Sequence, residues 1–402
     1  MADVSKYGFL TQLSHVGRRT KREHGFVNPP LQRGSTVLTP TVAQRKALQA
    51  QRGAQVLTYG TGGSETHWAL EDAISAIEGG TRTYVVGTGL AAVTVPLLVF
   101  LKSGDHCLMP DHVYGPARNF ANGLLAGFGV ETTFYDPNID EAGMAKLMRS
   151  NTKVVYTESP GSHTFEVQDV PAIARAAHAG GAKVFMDNTW GIHHFQPFKH
   201  GVDVSIQAAT KYLAGHSDVL IGSITVNNDE NWHILHAGAR QLGQYASPDD
   251  CWLTLRGIRT MGVRLAAQMD AAMQVAHWLR KRPEVAQVLH PGLPGAPGHE
   301  IWRRDFTGAC SLFGVEFKPS FTPEATHAFV EALDLFGIGA SWGGYESLAV
   351  PTTGNITRTA GSGQFAGPLV RIHIGLEDVD DLIADLEQAL GVMRASVMST
   401  QS

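Results

Sequence analysis

The sequence predicts an α/β fold, a mostly parallel sheet flanked by helices, followed by a smaller C-terminal α+β domain. Three observations carry this. Short apolar runs of strand length alternate with helical stretches between residues 80 and 210. That alternation stops near residue 256, where longer helical segments take over. The length, 402 residues, suits one large domain plus a smaller one.

In chain order, residues 1–60 show little periodicity and carry Pro29-Pro30, Gly34 and Pro40, so they read as an extended arm. Leu70, Ala73, Ile74 and Ile77 then share one helical face, and Gly79-Gly80 ends that helix. Strands are expected at Tyr84–Val86, His106–Met109, Glu131–Tyr135, Val154–Thr157, Val184–Met186 and Val204–Gln207. Helices such as Pro171–Ala179 separate most of them. The apolar run Tyr84–Leu101 approaches membrane-span length, but Gly87, Thr88, Gly89, Thr94 and Pro96 interrupt it. It reads as a strand and a buried helix. Beyond residue 256, Ile258–Leu279 and Val379–Leu390 read as helices, and Leu312–Phe317 and Val370–Ile374 as strands. The expected division is an arm over 1–60, a large domain over 61–255 and a small domain over 256–402.

Composition narrows the function. With 43% hydrophobic and 17% charged residues the chain is globular rather than disordered. A net charge of −5 gives no electrostatic footprint for nucleic acid. The basic pairs Arg18-Arg19 and Lys21-Arg22 read as solvated surface. Cys107, Cys251 and Cys310 are far apart and form no C-x-x-C, which fits a reducing compartment. The segment Met1–Lys6 lacks the apolar core of a signal peptide, so a cytoplasmic location is expected, with no membrane partner. His193 and His194 are adjacent and on a regular strand would face opposite ways; no metal is expected. No G-x-S-x-G elbow points to a serine hydrolase.

In a parallel α/β sheet the ligand sits beyond the carboxyl ends of the strands. Three sites lie there. In Met186-Asp187-Asn188-Thr189, a carboxylate ends an apolar strand. It either pairs with a cation, such as a protonated pyridine nitrogen, or caps its own turn. In Ala208-Ala209-Thr210-Lys211, one strand later, the lysine is either a solvated strand end or a desolvated amine suited to a Schiff base. The Thr210 hydroxyl is a candidate phosphate donor. In Gly87-Thr88-Gly89-Leu90, a small-residue turn opens a helix, a place where backbone N–H groups bind phosphate, although tight packing explains such a turn equally well. It is neither G-x-G-x-x-G nor a P-loop.

The chain resembles the Cys/Met-metabolism family of pyridoxal 5′-phosphate (PLP) enzymes over nearly its whole length, from about Thr58 onward. The motifs are Asp187-Asn188-Thr189-Trp190, Gln207-Ala208-Ala209-Thr210-Lys211-Tyr212, Gly215-His216-Ser217-Asp218, Ser341-Trp342-Gly343-Gly344-Tyr345-Glu346-Ser347 and Arg371-Ile372-His373-Ile374-Gly375-Leu376-Glu377. The resemblance implies the fold-type I PLP architecture and a cofactor carried by Lys211. It gives Asp187 to the pyridine nitrogen and Tyr114 to stacking on the ring. Gly89, Leu90 and Thr210 match the phosphate cradle. Arg371, with Ser341 and Trp342, matches the grip on the substrate α-carboxylate. Tyr59 matches a tyrosine that reaches the phosphate of a neighbouring subunit, which implies shared active sites and a homotetramer built from two dimers.

The implied reaction is cleavage of a carbon–sulfur bond by β-elimination, with Lys211 and Tyr114 handling protons. L-Cystathionine would give homocysteine, pyruvate and ammonia in methionine synthesis, and other cysteine S-conjugates fit the same chemistry. The rivals are γ-elimination or γ-replacement, as in O-acylhomoserine sulfhydrylases, and a PLP-binding regulatory protein without catalysis. The γ-relatives more often carry Ser-Leu-Gly where this chain has Ser341-Trp342-Gly343. One departure stands out: the family commonly has Tyr-x-Arg where this chain reads Tyr59-Gly60-Thr61, so the phosphate loses a cationic partner.

Overall fold

The computed structural model describes residues 6–18, 25–51, 54–361 and 365–399. Arg19, Lys21, Arg22 and the segment Met1–Ser5 lie outside the described residues. The large sheet contains β1 (Arg82–Val86), β2 (His106–Pro110), β3 (Glu131–Tyr135), β4 (Thr152–Glu158), β5 (Lys183–Asp187), β6 (Val204–Gln207) and β7 (Gly222–Val226). Their order is β1-β7-β6-β5-β4-β2-β3. The strands from β6 through β3 pair in parallel, whereas β7 is antiparallel to both β1 and β6.

The central strands are apolar because helices cover both faces of the sheet. Side chains alternate across a strand, so neighbours enter different cores. Val155, Val184 and Met186 join one cluster, while Val154, Tyr156, Phe185, Val204 and Ile206 join the other. The run Tyr84–Leu101 resolves into β1 and the helix Gly89–Phe100. No helix among the described residues is long and apolar enough to cross a membrane.

β7 went unread because Gly222-Ser223-Ile224-Thr225-Val226 looks mixed in polarity, yet all five residues are buried. The Thr225 hydroxyl is satisfied sideways: it pairs with Thr83 at 2.9 Å, and Thr83 with Ser75 at 2.8 Å.

The second sheet is antiparallel and contains β8 (Val285–Leu289), β9 (Leu312–Phe317), β10 (Leu348–Pro351) and β11 (Leu369–His373), in the order β10-β11-β9-β8. The helix Pro248–Leu279 leads into it and begins ten residues before the expected Ile258. The Ser247 hydroxyl accepts from the Asp249 N–H at 3.2 Å. Pro248, Asp249 and Asp250 then form a favourable first turn. The expected boundary at 255/256 falls inside this helix.

The segment between β10 and β11 returns to the large domain. The Asp111 carboxylate accepts from the backbone N–H groups of Thr359, Ala360 and Gly361, at 2.7, 2.7 and 2.8 Å, and from Arg118 at 2.5 Å. Beside it, Arg358 donates to Glu166 at 2.5 Å. His193 and His194 are not on a strand but in the turn after β5; their rings lie 3.9 Å apart, and Phe9 stacks on His193. The three cysteines are buried and free.

Candidate active site

One cavity of 280 Å³ opens at the carboxyl ends of β4, β5 and β6. Among the sequence-selected residues, Gly89, Leu90, Tyr114, Asp187, Thr210, Lys211, Trp342 and Arg371 all line it. Ser341 joins through a hydrogen bond, and Tyr59 does not line it at all. Tyr59 stays 49% exposed on the arm.

Lys211 follows β6, as the strand-end argument requires. Its Nζ donates to Ser341 Oγ at 2.7 Å and lies 5.3 Å from the centre of the Trp342 ring. Burial, then the Arg371 charge, pulls its pKa from 10.5 down to about 8, with Asp187 opposing. The amine is therefore not a solvated strand end. The loop that brings Ser341 and Trp342 to it needs Gly343, at φ +84°. A Cβ there would stand 2.9 Å from the Tyr212 nitrogen.

Asp187 ends β5. Its Oδ1 accepts from the Thr189 N–H at 3.0 Å and the Thr189 hydroxyl at 2.6 Å, and Thr189 Oγ1 accepts from the Ala208 N–H at 2.9 Å. The turn-capping reading thus holds: Oδ1 caps the turn and ties it to the Lys211 loop, and Oδ2 takes neither of those bonds. Burial raises the Asp187 pKa despite the Thr189 bonds.

Glu158 was not singled out from the sequence. It is the register partner of Asp187 at the end of β4, and it too lines the cavity. It holds the Tyr114 N–H at 2.8 Å; burial, then Asp187, pushes its pKa well up. Two carboxyls on one buried wall ionise only with a cation facing them. The signal available was Glu158-Ser159-Pro160 at a strand end, the same position that flagged Asp187.

Tyr114 is 42% exposed, so it is no core aromatic, and it lines the cavity. Gly89 and Leu90 begin the 12-residue helix Gly89–Phe100, capped by Thr88, whose side chain accepts from the Ala91 N–H at 3.0 Å. The first N–H groups of a helix lack internal partners and carry the positive end of its dipole. The Thr210 hydroxyl is already engaged: it donates to the Ile221 carbonyl at 3.0 Å and accepts from the Ile221 N–H at 2.9 Å. Arg371 on β11 spends one terminal nitrogen, Nη2, on the carbonyls of Ala340 at 3.0 Å and Ser341 at 3.1 Å. Among the described residues it has no carboxylate partner, so its charge awaits an anion.

These residues fit a phosphorylated pyridine aldehyde. A low-pKa amine, a carboxyl pair, a cavity-lining aromatic ring and a helix N-terminus each meet one of its parts. Lys211 and Arg371 are the only lysine or arginine among the residues lining the cavity.

Comparison with known proteins agrees. Residues 10–391 match the family model described as Cys/Met metabolism PLP-dependent enzyme. A putative cystathionine beta-lyase of Rhizobium johnstonii is 47% identical, covering 96% of this chain and 97% of that one. The cystathionine beta-lyase MetC of Escherichia coli is 43% identical over 94% and 96%. The crystal structure of metB from Corynebacterium glutamicum superposes with a TM-score of 0.88 at 31% identity, covering 97% and 99%. An L-alanine/L-glutamate racemase of Wolbachia pipientis is 36% identical over 94% and 96%. The chain belongs to the Cys/Met metabolism PLP-dependent enzymes, and pyridoxal phosphate is its cofactor.

Proposed function

From that membership we propose that the protein is a carbon–sulfur β-lyase that converts L-cystathionine and water to homocysteine, pyruvate and ammonia. Cysteine S-conjugates enter the same reaction. The observation that carries this reading is the Lys211–Ser341–Trp342–Arg371 constellation, with the amine and the unpaired guanidinium on one cavity.

Bound pyridoxal phosphate supplies an aldehyde for the substrate amine and an electron sink for charge developing at Cα. Arg371 binds the α-carboxylate, its Nη2 already fixed by backbone carbonyls. Lys211 Nζ, held by Ser341 Oγ, takes the Cα proton; a pKa of about 8 suits that task near neutral pH. Asp187 would keep a proton on the ring nitrogen of the bound group, and Glu158 positions Tyr114 through its backbone N–H. Tyr114 or Lys211 delivers a proton to the departing thiolate. The Trp342 ring forms the adjoining wall and keeps water from Nζ.

The exposed Tyr59 supports a shared active site, completed by the arm of a second copy. On this proposal the enzyme works in the cytoplasm as a dimer of dimers. The division into arm, large domain and small domain belongs to the same proposal.

Product analysis tests the reaction. L-Cystathionine should yield pyruvate and homocysteine, and Lys211→Ala should abolish pyruvate release. Formation of 2-oxobutyrate and cysteine would select the γ-reaction instead. Because a named racemase is among the relatives, L-alanine should be incubated in parallel. Rapid formation of D-alanine without pyruvate from cystathionine would overturn the lyase reading.

A further inference from the structure

His163 lines the cavity and has no role in the scheme above. It sits in the loop after β4 with φ +63°, the left-handed region that a non-glycine residue rarely holds. The loop is seated against β9. The His163 carbonyl lies 3.3 Å from where a Cβ on Gly314 would stand. Gly314 is the direct partner of Arg371 in the β9–β11 register. Opposed residues of an antiparallel pair project to the same face. The missing side chain at Gly314 thus lets the His163 loop approach the face from which Arg371 projects.

Both ring nitrogens of His163 lack a partner among the described residues. Nδ1 is sealed from solvent without a hydrogen bond. Nε2 is not among the sealed atoms, and the residue lines the cavity. An orphaned buried N–H is rarer than an orphaned lone pair, so the neutral ring carries its proton on Nε2. Burial, then Arg371, holds the pKa near 4, which keeps the ring neutral at pH 7. The result is a fixed N–H donor beside a guanidinium without a counter-ion. Both suit one carboxylate.

We propose that His163 is a substrate-binding residue whose Nε2–H donates to the carboxylate that Arg371 grips. It rests on the cavity being an amino-acid site of a PLP enzyme, but not on which bond is cut. The role predicts an effect on KM and on ligand affinity rather than on kcat.

The test uses holoenzyme with glycine, which binds but has no leaving group, titrated by the change in cofactor absorbance. His163→Leu should weaken glycine binding by about tenfold, the loss of one ordinary hydrogen bond. Its cofactor content and kcat should stay near wild type. His163→Gln, whose amide nitrogen reaches the place of Nε2, should recover most of the affinity. Unchanged glycine affinity in His163→Leu would overturn the proposal, as would equal losses in the Leu and Gln variants, which mean packing alone. Pyruvate release by the wild type, measured on the same preparation, reports on the lyase reading separately.

Discussion

In cofactor-free protein the Lys211 amine should titrate near pH 8, not 10.5. At 1.36 kcal/mol per factor of ten, that difference corresponds to about 3 kcal/mol against the charged form. At pH 7.5 roughly a quarter of the amines would then be unprotonated, against about one in a thousand for a solvated lysine. The site offers on the order of 200 times more nucleophile than an ordinary surface lysine. The assay is the rate of borohydride-trapped attachment of pyridoxal phosphate to Lys211, mapped by peptide mass, as a function of pH. Two variants push the midpoint in opposite directions. Arg371→Leu removes a nearby cation and should raise it; Asp187→Asn removes a stabilising anion and should lower it. A wild-type midpoint at pH 10 or above would refute the argument, and so would variants that shift together.

Two further outcomes follow from the chain's own contacts. Asp111→Ala leaves the Arg118 guanidinium, 8% exposed, without its carboxylate and strips three loop N–H groups of their acceptor. It should cost about 3–5 kcal/mol in denaturant unfolding and deprotect amides 359–361 to hydrogen exchange. Lowering pH should mimic it. Burial raises the Glu166 pKa, but His112 and Arg358 outweigh that and bring it to about 2; hydrogen bonds hold Asp111 far down as well. The stability these carboxylates contribute is complete above their ordinary unfolded values near 4 and is lost as pH falls toward 2. An unfolding midpoint flat from pH 5 to 2 would contradict this. Separately, Thr61→Arg should tighten pyridoxal phosphate binding by at least about tenfold in equilibrium dialysis, since one charge-assisted hydrogen bond contributes about 1.5–3 kcal/mol. Unchanged or weaker binding would show that Arg at 61 does not reach the phosphate.

What could be read from the sequence was whatever repeats a periodic rule. The core strands Val154–Thr157 and Val184–Met186 announced themselves because burial on both faces demands continuous apolar runs. Lys211 and Asp187 stood out as charges where those runs end. β7 broke the rule: its polar residues are buried all the same, and Thr225 bonds to Thr83 on β1, a pairing that only the folded sheet creates. Glu158 also sits at a strand end, yet its meaning depends on being level with Asp187 across β4 and β5, a register no single segment encodes. His163 was hidden more deeply. Nothing in Gly161-Ser162-His163-Thr164 resembles a binding motif, and an isolated histidine is ordinarily a satisfied one. Its significance comes from Gly314, about 150 residues later in the chain, whose absent side chain admits the loop beside Arg371. Motifs locate groups that act through their own position on a strand. Groups that act through an approach between two domains become visible only when the empty space that permits the approach is seen.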